Sequence, residues 1–137
     1  MSTTLMFSED MEMGVAKIDA QHKELIDRIN AVILMEQKAF SKEEIQKTLD
    51  FLGEYVVQHF ADEEALQVES KYPKYEWHKG LHQGFINDFK KLRNEFVANG
   101  VSMKFTLDLN QSIISWVIKH VKGADVEFGR YYKEHIK

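Results

Sequence analysis

Cysteine is absent from the 137 residues, so disulfides and thiolate metal ligands are excluded. Proline occurs once, at Pro73, and glycine seven times, which leaves most of the chain free to be helical. No Pro- or Ser-rich linker and no low-complexity segment interrupts it. No apolar stretch approaches the length of a membrane span. An excess of basic residues is also missing: Lys and Arg total 18 against 22 Asp and Glu, a net charge of −4. A nucleic-acid surface is therefore not expected. The opening residues, MSTTLMFSEDMEMG, lack the basic and apolar regions of a secretory leader. A chain without cysteine fits a reducing compartment, and a cytoplasmic location without membrane partners is the expectation.

What the chain does have is helical periodicity and histidine. Residues 1–17 are weakly periodic and read as an arm. Four amphipathic segments follow, over about 19–38, 42–68, 74–98 and 106–133. Asp19 is a plausible N-cap for the first, and Ser41 with Glu44 has the capping-box spacing for the second. Pro73 separates the second from the third, and Asn99-Gly100 stops the third. Four such helices with short connections predict an all-α, antiparallel up-down-up-down four-helix bundle in one domain, residues 1–137.

The inward stripes are apolar except at a few positions. Ile18, His22, Leu25, Ile29 and Val32 share one face of the first helix. His59 and Glu63 fall on the second stripe, His78 and His82 on the third, and His120 on the fourth. Each has a bland reading. A lone buried histidine such as His22 is more often hydrogen-bonded core than ligand. His59 with Glu63 can be a surface pair, and HxxxH arises by chance. The stripes, however, are defined by apolar residues, and five of six histidines then fall on them. In an antiparallel bundle all five lie near one end. Buried polar groups need partners, and imidazole with carboxylate suits iron, copper, zinc, nickel or manganese.

The fourth stripe contains an irregularity. Leu109, Ile113, Trp116 and His120 keep regular spacing, but the stripe resumes at Asp125, with Phe128 and Tyr132. In an ideal helix residues five apart point about 140° away from each other. A π-type turn within 120–125 would bring His120 and Asp125 to one face.

The set His22, His59-x-x-x-Glu63, His78-x-x-x-His82 and His120-x-x-x-x-Asp125 resembles the hemerythrin family. So do the phrases IDAQHKELIDRIN, HFADEEAL, YPKYEWHKGLHQGF and WVIKHVKGAD, and the resemblance covers nearly the whole chain. Phe7 stands where bacterial members often have Trp, and His135 lies outside the motif. The resemblance implies two non-haem iron ions with carboxylate and hydroxide or oxo bridges. His78, His82 and His120 would bind one iron, His22 and His59 the other, and Glu63 and Asp125 would bridge them. It also implies reversible dioxygen binding, for carriage, storage or delivery. The competing readings are a di-iron peroxidase or oxidoreductase, an oxygen or redox sensor acting through a partner, and metal buffering. Ile29, Val56, Phe85 and Trp116 are expected to line the pocket, and Glu64 to be solvated.

Overall fold

The computed structural model describes residues 5–38 and 40–135. The first four residues of the expected arm and the last two of the chain lie outside that range. Three helices, α1 (Ala16–Gln37), α2 (Lys42–Glu69) and α3 (Tyr75–Asn99), are followed by a continuous helical rod, α4, over residues 103–135. No strand occurs among the described residues. None of the described helices is long and apolar enough to cross a membrane.

The helix ends follow their caps. Ser41 Oγ accepts from Glu44 N at 3.2 Å, the cap expected at the start of α2, and its hydroxyl donates to Glu44 Oε1 at 3.0 Å. Gly100 closes α3 at a φ of +67°, with its N–H on Phe96 O. Two boundaries differ from the sequence expectation. Asp19 does not cap α1; its carboxylate accepts from Met13 N and Gly14 N in the arm, and the helix begins at Ala16. The rod α4 begins at Met103, capped by Ser102, whose Oγ accepts from Phe105 N at 3.1 Å.

Consecutive helices pack as neighbours, so the bundle runs up-down-up-down. Its main core contains Leu25, Ile29, Leu49, Leu52, Val56, Phe85, Leu92, Phe96, Phe105 and Ile113, among others. A second, smaller cluster of Met13, Ile18, Tyr72 and Phe128 fills the opposite end. Part of the arm covers that end. Met13 O lies where a Cβ on Gly129 would be, only 2.2 Å away, so glycine is what admits the arm backbone.

The rod α4 is not a uniform α-helix. It has π turns at Leu109–Ile114 and Val121–Asp125. Ser115 N–H donates to Asn110 O and Val126 N–H to Val121 O, each five residues back. The second turn lies where the five-residue gap predicts it. The first was not anticipated, and it changes which residues face inward. Val117 is buried while Trp116 is only half-buried, so Trp116 flanks the core where the stripe had placed it inside.

Candidate metal centre

Between the two apolar clusters lies one polar layer. His22 on α1, His59 and Glu63 on α2, His78 and His82 on α3, and His120 and Asp125 on α4 are all 6% exposed or less. Helices α1 and α3 carry their donors early and α2 and α4 late, so antiparallel packing brings the seven to one level. The π turn lets the two α4 residues join it together: Asp125 Oδ1 is 3.0 Å from His120 Nε2.

The donor atoms form two overlapping groups. Those of Glu63, His78, His82, His120 and Asp125 lie within 4.8 Å of one another, as do those of His22, His59, Glu63 and Asp125. Both carboxylates belong to both groups, and the histidines divide three and two. Glu63 Oε1 is 2.9 Å from His78 Nε2 and 3.1 Å from His82 Nε2. Asp125 Oδ1 is 2.9 Å from His78 Nε2, and Oδ2 is 2.9 Å from His22 Nε2.

Closeness here is not the same as hydrogen bonding. His22 Nε2, both Glu63 oxygens and Asp125 Oδ2 are buried with no hydrogen-bond partner of acceptable geometry. Nitrogen also faces nitrogen: His78 and His82 Nε2 lie 3.1 and 3.2 Å from His120 Nε2. Such atoms converge on shared points instead of pairing off. Cations at those points would satisfy lone pairs that the side chains cannot satisfy among themselves. The residues therefore fit a metal centre.

The electrostatics agree. Burial opposes the charge of His78, but the carboxylates of Asp125 and Glu63 outweigh it and raise the imidazole to about 9. His22 is raised against the same burial by the same carboxylates. His59 is lowered to about 4 by burial and by its neighbour His22. Burial pushes both carboxylates up, but the surrounding imidazoles prevail: Glu63 is lowered and Asp125 is held well below the usual range. Two ionised carboxylates in a dry layer demand positive charge beside them.

Outside this layer, two hydrogen bonds fix ring orientation. Asp62 Oδ2 accepts from Gln21 Nε2 at 2.7 Å, which turns Gln21 Oε1 toward His59 Nδ1 at 2.9 Å. Glu64 Oε2 lies 2.8 Å from His82 Nδ1. Both partners can only accept, so each Nδ1 carries the proton and each Nε2 presents a bare lone pair. Glu64 was expected to be solvated. Its turn of about 100° from Glu63 instead points it at the far side of His82, with its side chain 21% exposed. Phe60 stacks on His82 at 3.8 Å between ring centroids, and Trp116 stacks on His120 at 4.2 Å. Of the expected lining residues, Ile29, Val56 and Phe85 are buried in the main core beside the layer, and Trp116 packs partly buried against it. His135 is exposed and apart from the site.

Fold and site together define a metal-binding four-helix bundle with a buried layer of histidines and carboxylates. The sequence matches the family model described as the Hemerythrin HHE cation binding domain over residues 13–131. The chain belongs to the hemerythrin family. It is 27% identical over 132 residues to a bacteriohemerythrin of Stenotrophomonas maltophilia (strain R551-3), covering 96% of this chain and 84% of that one. A bacteriohemerythrin of Pseudomonas paraeruginosa is 29% identical over 129 residues, covering 90% and 78%. One of Campylobacter jejuni is 28% identical over 121 residues, covering 88% and 89%.

Proposed function

We propose that this protein binds dioxygen reversibly at a non-haem di-iron centre, for carriage, storage or local delivery. His78, His82 and His120 hold one iron, His22 and His59 hold the other, and Glu63 and Asp125 bridge them. The observation that carries the proposal is the division of the donors: two shared carboxylates with three histidines on one side and two on the other. Iron in such a pair supplies reversible electron transfer to a bound small molecule.

The chain's own residues supply the rest. Gln21 and Glu64 keep the Nε2 lone pairs of His59 and His82 turned inward. The unequal histidine count leaves the His22 and His59 side with more coordination room for an exogenous ligand. Phe60, Phe85 and Val56, all buried, wall the layer with apolar surface. That wall keeps water and its protons from the site, which favours release of the ligand unchanged over its conversion.

The test is an optical titration of anaerobically reduced, iron-loaded protein with dioxygen, followed by deoxygenation. A visible absorption band that appears and disappears over repeated cycles is expected, with two irons per chain by elemental analysis. Irreversible oxidation with turnover of added reductant would identify an oxidoreductase instead. Iron-free protein after iron-replete expression would refute both readings.

A further inference from the structure

The two hydrogen bonds outside the metal layer are alike in geometry and unlike in charge. His82, assigned to the three-histidine side, meets the carboxylate of Glu64 at 2.8 Å. His59, assigned to the two-histidine side, meets the neutral amide oxygen of Gln21 at 2.9 Å. Asp62 reaches His59 only through Gln21. His22 Nδ1, the remaining candidate on that side, is buried without a partner, as is His78 Nδ1 on the other.

This difference has an electronic consequence. A hydrogen bond to an ionised acceptor is stronger than one to a neutral acceptor. It draws the Nδ1 proton outward and leaves Nε2 more basic, and a more basic imidazole is a better donor to a cation. His82 is 1% exposed and the Glu64 side chain 21%, so water screens this contact less than a surface pair. Phe60 lies nearly parallel to the His82 ring, at 3°, and limits the tilting that would loosen the bond.

We propose that Glu64 makes the three-histidine half of the centre the more electron-rich half. When the centre holds one ferric and one ferrous ion, the ferric ion then resides with His78, His82 and His120. Glu64 is thus a positioning residue that acts through His82, and Gln21 is its neutral counterpart on the exchangeable side. The ion that has room for an exogenous ligand is left the easier one to reduce. This inference rests on the di-iron reading above.

The experiment is a mediated redox titration of iron-loaded protein under argon, following both one-electron steps. Glu64→Gln keeps the shape and removes the charge. In it the second reduction, which fills the three-histidine site, should become easier, with at least a tenfold shift in the reduced-to-oxidised ratio at the wild-type midpoint. Glu54→Gln on the outer face of α2 controls for loss of a negative charge alone. A second variant, Gln21→Glu with Asp62→Asn, transfers the carboxylate to His59 at constant net charge. It should make the first reduction harder and narrow the gap between the two steps. Two irons per chain with potentials that move no more than in Glu54→Gln overturn the inference and leave the di-iron reading standing. Wild-type chain that never takes up two irons overturns both. If Glu64→Gln fails to hold iron, the carboxylate-transfer variant decides: unchanged steps there overturn the inference.

Discussion

Phe60 offers a sharp test of how the metal layer is walled. It is 4% exposed and stacks on His82 at 3.8 Å. Phe85 meets it edge-on at 5.7 Å, and His59, Trp116 and His120 lie at 5.8, 6.1 and 6.4 Å. Truncation to alanine removes a buried ring from five neighbouring rings and leaves a cavity, at a cost of about 3–5 kcal/mol. A chain of 137 residues has an unfolding entropy of about 0.3 kcal/mol/K, so Phe60→Ala should lower Tm by about 10–17 °C. Phe60→Leu keeps most of the apolar volume and leaves a smaller cavity, so its drop should be a fraction of that. Thermal unfolding by circular dichroism, on metal-free and iron-loaded protein, measures both. The alanine variant should also oxidise irreversibly in air faster than wild type, because the cavity admits water beside His82. A drop below about 3 °C, roughly 1 kcal/mol, would show that the ring is not packed as described.

Other perturbations probe the arm, the bridges and the charge balance. Gly129→Ala places a Cβ 2.2 Å from Met13 O, so the arm must shift. A loss of about 1–3 kcal/mol is expected, with faster amide exchange at residues 5–15; unchanged exchange would contradict the docking. Glu63→Ala and Asp125→Ala should each reduce iron from two per chain to one or none by elemental analysis, and two irons retained in either would contradict its bridging role. Metal-free protein should show a stability maximum near pH 6.5. Above it, the contributions of His78 and His22, whose folded values are raised, are lost as pH rises through about 9 for His78. Below it, charging His59, lowered to about 4, costs stability, and the lowered carboxylates add their loss as they protonate. Iron should flatten the alkaline side by supplying the positive charge that the protons otherwise bring. A metal-free Tm that stays level from pH 6.5 to 9 would refute that balance.

The sequence made the bundle readable because its stripes are simple: an apolar residue every three or four positions can face only one way. The same regularity exposed the slip between His120 and Asp125, and with it one π turn. The other π turn, at Leu109–Ile114, left no polar residue out of register to betray it. Leu109, Ile113 and Ile114 are all apolar, so a shift among them is invisible, and Trp116 was placed inside when Val117 is. Gln21, Asp62 and Glu64 were illegible for a different reason. They sit one position off the inward stripe, where polar residues are ordinary, and only the neighbouring helix shows what they touch. Asp19 misled because it is a good cap by type; its partners are arm amides that no periodicity predicts.

The polar layer also divides the bundle unequally. Beyond it the closing cluster has four buried apolar residues, Met13, Ile18, Tyr72 and Phe128, against the long core on the other side. So small a plug gives that end little hold of its own, while the arm is also held on the other side of the layer, where Leu5 exchanges two hydrogen bonds with Asn30 of α1 and Leu5 and Met11 join the main core. Ions bound as proposed would be gripped by all four helices and act as rivets there. Ligand at a hundredfold above its dissociation constant adds about 2.7 kcal/mol to the folded state, and here that gain would fall next to the smaller apolar cluster. The chain's lifetime in a cell would then follow iron supply: scarcity would first loosen the closing end and open it to proteases before the remaining core has loosened.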